Sequence, residues 1–117
     1  MKAMLFGIQY VLRYHLGGRH PPLICGLVLT NQCNLRCRHC RVSTRGGQRL
    51  GFAQVAQATE SFYAQGGRCL YLEGGEPFLW RDGQYGVEDV VKLAHRLGYL
   101  TVVIYTNGTI PLHTTAE

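Results

Sequence analysis

At 117 residues with 46% apolar side chains, the chain has enough apolar content for one packed domain or part of a larger one, which excludes disorder. Its formal net charge of +5 is unevenly placed: no acidic residue precedes Glu60, while Lys2, Arg13, Arg19, Arg36, Arg38, Arg41, Arg45 and Arg49 all lie in that half. Five cysteines, an odd count with three crowded together, speak against a secreted disulfide scaffold and for a metal site in a reducing, cytoplasmic setting.

Met1 to Leu16 has helical periodicity. Met1, Met4, Leu5, Ile8, Val11 and Leu12 share one side, with Lys2, Gln9 and Arg13 away from it. Arg13 and His15 interrupt the apolar core that a signal peptide needs, and the segment is too short to span a membrane. The stripe is read as packing against the domain rather than lying on a membrane surface. Gly17 and Gly18 end the helix, and Pro21–Pro22 lead into the next element. This divides the chain into a helix and lead-in over 1–22 and a core domain over 23–117.

Leu23 to Thr30 is continuously apolar, the pattern of a strand buried on both faces of a parallel sheet. A helix is predicted from Phe52, with Phe52, Val55, Ala56, Thr59, Phe62 and Tyr63 on one face and Gly66–Gly67 as the stop. Arg68 to Glu73 is a second strand, and Pro77 to Gly86 reads as a connecting loop. A further helix covers Val87 to Leu97. Its first turn carries Glu88 and Asp89 and its last turn His95 and Arg96, which suits the helix dipole. Tyr99 to Thr106 is a third strand.

The order strand, helix, strand, helix, strand predicts an α/β fold with three parallel strands joined by right-handed crossovers. Each strand then ends in an unusual loop on the same edge of the sheet. These are Cys33-x3-Cys37-x2-Cys40, Gly74-Gly75-Glu76-Pro77 and Thr106-Asn107-Gly108. Ligand sites of parallel α/β sheets form at that edge.

Three closely spaced thiolates suit a soft metal or an iron–sulfur cluster. On a [4Fe–4S] cluster, Cys33, Cys37 and Cys40 would hold three irons and leave the fourth open to a small molecule. A zinc site of the three cysteines and His39 is the alternative, although zinc usually takes its ligands from two separated pairs. His39 is read as a ring packed beside the cluster, and Cys25 and Cys69 as small core residues. In Gly74–Pro77 the glycines let backbone approach a ligand, and exposed carbonyls, with Glu76, would receive an ammonium group. Asn107 either bonds a ligand or forms the turn that Asn-Gly favours.

Together, Cys33-x3-Cys37-x2-Cys40, Leu72-Glu73-Gly74-Gly75-Glu76-Pro77 and Tyr105-Thr106-Asn107-Gly108 resemble the radical S-adenosylmethionine (radical SAM) superfamily over about residues 23–111. The resemblance implies the N-terminal half, three βα units, of a partial (β/α)6 TIM-like barrel. It implies a [4Fe–4S] cluster on Cys33, Cys37 and Cys40, and S-adenosylmethionine on the open iron. Gly74, Gly75, Glu76 and Pro77 would meet the methionyl amino end, and His39 would lie near the adenine. It further implies an electron donor such as flavodoxin or ferredoxin, and a 5′-deoxyadenosyl radical that abstracts hydrogen from a substrate the sequence does not name. Three strands are half of the six expected, so the chain is expected to be a fragment or one half of a split enzyme. The other reading is a zinc-binding module that sets its basic half on nucleic acid. The lack of interleaved aromatic residues for base stacking weighs against it.

Overall fold

In the computed structural model, residues 1–18, 20–41 and 47–111 are described. The elements run in the expected order. Helix α1 (Lys2–Leu16) is followed by β1 (Ile24–Thr30), α2 (Phe52–Ala64) and β2 (Cys69–Gly74). A single 3-10 turn (Pro77–Leu79) and a small hairpin, β3 (Arg81–Asp82) and β4 (Tyr85–Gly86), come next. Helix α3 (Val87–Leu97) and β5 (Thr101–Ile104) complete the order. The hairpin replaces the loop expected over 77–86. Two-residue strands carry no readable alternation.

The three longer strands form one sheet in the order β1-β2-β5, and both pairings are parallel. This is the α/β fold expected, built from two crossover helices on one face. Leu29, Leu70, Leu72, Val55, Val90 and Ala94 are fully buried between that face and the helices, with Trp80 and Val87 at one end. Each of the larger side chains contributes about 1.5–3 kcal/mol through removal from water. Leu93 of α3 is also buried, in addition to the Val87, Val90 and Ala94 expected from the periodicity.

The second face of the sheet does not match the expectation of two-sided burial. Along β1, Cys25, Leu27 and Leu29 are buried while Ile24, Gly26 and Val28 are exposed. The same open face continues through Tyr71 and Glu73 of β2, which the pairing register sets beside Gly26 and Val28. Tyr71 stacks on Tyr105 there, with ring centroids 5.7 Å apart. The apolar run fitted a two-sided strand, but among the described residues no element packs on this side.

Helix α1 forms as predicted and faces the other way. An aromatic ridge, Phe6, Tyr10 and Tyr14, meets the domain instead of the aliphatic stripe. The Arg68 guanidinium sits 5.5 Å from the Phe6 ring centroid, and Tyr14 meets His20 edge-on at 4.6 Å. The Tyr10 hydroxyl donates to the Pro21 carbonyl at 3.3 Å. Met4, Leu5, Ile8, Val11, Leu12 and Leu16 are each at least half exposed. Aromatic rings gain a cation and a hydrogen-bond acceptor on the domain side, contacts that aliphatic side chains have no means of making.

Candidate functional site

The C-terminal ends of β1, β2 and β5 are knitted together by a dense set of hydrogen bonds, and its centre is Glu76. This carboxylate is fully buried. Its Oε1 accepts from the Thr106 hydroxyl at 2.8 Å and the Phe78 N–H at 3.1 Å, and its Oε2 accepts from the Asn107 N–H at 2.8 Å. Both oxygens are thus committed to protein donors, and the side chain ties the end of β2 to the end of β5.

Gly74 and Gly75 are pressed against the chain that leads into the cysteines. The Gly75 N–H donates to the Thr30 carbonyl at 2.8 Å, and the Glu76 N–H donates to the Gln32 carbonyl at 2.8 Å. A Cβ on Gly75 would lie 2.1 Å from the Gln32 carbonyl oxygen, and one on Gly74 would lie 2.4 Å from that of Thr30. The close approach served by these glycines is therefore, first, an approach of one loop to another. Pro77 is buried and starts the 3-10 turn, in which Glu76 is the cap.

Asn107 forms the turn expected of Asn-Gly and also reaches the cysteine loop. Its Oδ1 accepts from the Thr109 N–H at 3.0 Å, the Asx-turn geometry that Asn-Gly favours. Its Nδ2 donates to Asn34 Oδ1 at 2.9 Å and lies 3.7 Å from Cys33 Sγ. The end of β5 is thereby fastened to the first cysteine. The Leu35 N–H also points at Cys33 Sγ, at 3.4 Å.

Cys40 and Cys33 are half-buried and Cys37 is exposed, all on the loop that follows β1. The Cys40 N–H donates to the Cys37 carbonyl at 3.1 Å, which closes a turn around the last two thiols. His39 is exposed in that turn. Among the described residues, no three His, Cys, Asp or Glu side chains converge as ligands of one metal ion. Zinc requires such convergence, because donors at about 2.3 Å from one ion lie within about 4 Å of one another. Cluster thiolates each bind a different iron and stand further apart. The donor set, three thiols on one short loop, is of the soft kind that an iron–sulfur cluster takes.

The outer side of this site was not readable in the sequence. Residues 48–50 return along β1, with the Asn31 N–H donating to the Gln48 carbonyl and the Leu50 N–H to the Leu29 carbonyl, both at 2.9 Å. The fully buried Trp80 donates its indole N–H to the Leu50 carbonyl at 2.8 Å. Asp82 of the hairpin caps α2 by accepting from the Phe52 N–H at 2.7 Å, and Tyr85 stacks on the Phe52 ring at 4.0 Å. The hairpin therefore clamps the return of the cysteine loop against the end of β2. Asn34, Thr109, Trp80 and Asp82 carry no motif, and contacts over 30 or more residues reveal them.

Away from this edge, burial pushes the Cys25 thiol up to about 11. Burial, followed by the neighbouring Cys25, pushes the Tyr99 hydroxyl up to about 12. Cys25 is a core residue, as expected, and Cys69 lies at the opposite end of β2 from the site.

The profile of the Radical SAM superfamily matches residues 27–117. The chain belongs to the radical SAM superfamily. Pre-heme d1 synthase of Dinoroseobacter shibae is 40% identical to this radical SAM chain over 86 residues, which is 69% of the chain and 20% of that protein. GTP 3′,8-cyclase of Stenotrophomonas maltophilia is 35% identical over 88 residues, 72% of the chain and 26% of that protein. Molybdenum cofactor biosynthesis protein 1 of Dictyostelium discoideum is 26% identical over 107 residues, 87% of the chain and 16% of that protein. The chain thus spans only 16–26% of the length of these relatives. No solved structure matches the chain. No helix among the described residues is long and apolar enough to cross a membrane.

Proposed function

We propose that this chain supplies the cluster- and cofactor-binding end of a radical SAM enzyme. Cys33, Cys37 and Cys40 would hold the [4Fe–4S] cluster, and S-adenosylmethionine would lie between the cysteine loop and Gly74–Pro77. The observation that carries this reading is the network in which Glu76 and Asn107 bind three strand-end loops into one edge beside Cys33. When bound, the reduced cluster supplies the electron that cleaves the carbon–sulfur bond of S-adenosylmethionine to methionine and a 5′-deoxyadenosyl radical.

The chain's own residues do the positioning. The turn closed by the Cys40 N–H and Cys37 carbonyl presents two thiols from one short loop. Asn107 and the Leu35 N–H offer hydrogen bonds to Cys33 Sγ, which would orient that ligand. The Gly74–Glu76 backbone is fixed against Thr30–Gln32, so the methionyl amino group would meet preset backbone groups and not a mobile loop. The open face bearing Tyr71, Glu73 and Tyr105 adjoins this edge and is the side from which a substrate would approach. The relatives carry the names of different activities, pre-heme d1 synthase and GTP 3′,8-cyclase, so the shared region fits the cofactor end better than any one substrate.

Reconstitution without oxygen, followed by assay of iron, sulfide and zinc, tests the reading. Four irons and four sulfides per chain, lost in Cys33→Ser, Cys37→Ser and Cys40→Ser, are expected. One tightly held zinc without sulfide, together with salt-dependent nucleic-acid binding, would replace it by the zinc-module reading.

A further inference from the structure

Three side chains beside Cys33 form a closed circuit of hydrogen bonds. Asn107 Nδ2 donates to Asn34 Oδ1 at 2.9 Å, Asn34 Nδ2 donates to Thr109 Oγ1 at 2.7 Å, and the Thr109 hydroxyl donates to Asn107 Oδ1 at 2.7 Å. Asn34 belongs to the cysteine loop, and the other two residues follow β5, 73 and 75 residues further along the chain. All three are exposed, so water competes for each bond and the net gain in stability is small. What the circuit supplies is direction.

The two ends of an Asn amide differ, one accepting and the other donating, and the partners decide which way it turns. Here a backbone group decides. The Thr109 N–H can only donate, and it meets Asn107 Oδ1 at 3.0 Å. The Asn107 backbone is itself held, because its N–H donates to the buried Glu76 carboxylate at 2.8 Å. With Oδ1 turned to Thr109, the Nδ2 group turns to Asn34, which takes one of its two hydrogens. The second is left for Cys33 Sγ, 3.7 Å away. A flipped amide would set Oδ1 against Asn34 Oδ1 and the sulfur, and an NH2 group against the Thr109 N–H.

We infer that Asn34 and Thr109 are positioning residues: they hold the Asn107 amide with its N–H towards Cys33 Sγ, and through it they tune the reduction potential of the cluster. The inference rests on the reading of Cys33 as a cluster ligand. Hydrogen bonds to cluster sulfurs help to set the potential, because a donor favours the more negative, reduced state. Both residues act through Asn107.

A redox titration of the reconstituted chain, followed by electron paramagnetic resonance and set beside assays of iron and sulfide, tests this. Asn107→Ala is expected to make reduction about tenfold less favourable, a fall of about 59 mV for one electron. Asn34→Leu and Thr109→Val are each expected to make it about threefold less favourable, with iron and sulfide unchanged. Thr109→Ser, which keeps the hydroxyl, is expected to hold the parent potential. In the Asn107→Ala background Asn34→Leu and Thr109→Val should add nothing, because the group they act through is gone. Parent potentials in Asn107→Ala or in both circuit variants would overturn the inference and leave the cluster reading standing. So would shifts that persist in the Asn107→Ala background, or a loss of iron in the circuit variants, which would make the circuit a structural tie. A parent chain that takes up no iron overturns the cluster reading and this inference with it.

Discussion

Replacing Glu76 by alanine removes the acceptor of three donors at once: the Phe78 N–H, the Thr106 hydroxyl and the Asn107 N–H. Glu76 is fully buried, so water has no ready path to the orphaned groups. A buried donor left without a partner costs about 1–3 kcal/mol. Thr106 and Asn107 lie at an exposed end and recover part of that from solvent. A total loss of about 3–5 kcal/mol is expected, a large share of the 5–15 kcal/mol typical of a whole domain. Glu76→Gln keeps one acceptor oxygen but sets an amide NH2 against an N–H, and is expected to cost about 2 kcal/mol. Thr106→Val removes one hydroxyl and is expected to cost about 1 kcal/mol. The two substitutions share a bond, so the double variant should lose less than the sum of the single ones. Urea unfolding of the cluster-free chain, followed by circular dichroism, measures all four. A Glu76→Ala variant within about 0.5 kcal/mol of the parent would refute the assignment of this carboxylate as a fastener of strand ends.

Gly75→Ala places a Cβ 2.1 Å from the Gln32 carbonyl oxygen, so the chain before Cys33 must move. Iron loading on reconstitution should fall by more than half, whereas Gly83→Ala, which meets nothing within 4 Å, should retain the parent loading despite its positive φ. Trp80→Phe strands the Leu50 carbonyl and leaves a void. A loss of about 2–3 kcal/mol is expected in urea unfolding, and an unchanged midpoint would show that the hairpin clamp carries no energy. Folding raises the Cys25 pKa from 9.0 to about 11, so the unfolded thiol ionises first as pH rises. The associated stability is intact below about pH 9 and is lost as pH rises towards 11, and Cys25→Ala should flatten the unfolding midpoint over that window. At pH 8, iodoacetamide should label Cys37 rapidly in the cluster-free chain and reach Cys25 only after unfolding.

The sequence made the order of elements legible because the two crossover helices have clean periodicity and glycine stops. The Val87–Leu97 boundaries agree with those of α3, where Asp89 accepts from the Gly86 N–H and Gly98 adopts a left-handed φ of 96°. The cysteine spacing and Gly-Gly-Glu-Pro located the site edge for the same reason: each is local. The misreadings come from what lies across space. An apolar run such as Leu23–Thr30 reports that a strand is sticky, without saying whether anything covers its second face. Helix α1 carries two apolar ridges, and only the partners Arg68, Pro21 and His20 decide which one turns inward. The fastening partners of Glu76, Thr106 and Asn107, lie 30 and 31 residues away, so its structural bonds had no local signal. The Asp82 cap on α2 is likewise a contact over 30 residues.

The central claim is that the three thiols hold a cluster whose open iron faces the Gly74–Pro77 loop. The electron paramagnetic resonance spectrum of the reduced, reconstituted chain, recorded with and without S-adenosylmethionine, tests it most directly. A change in the signal on addition, absent in Gly75→Ala, is the predicted result. A full complement of iron and sulfide whose signal S-adenosylmethionine leaves unaltered would contradict it.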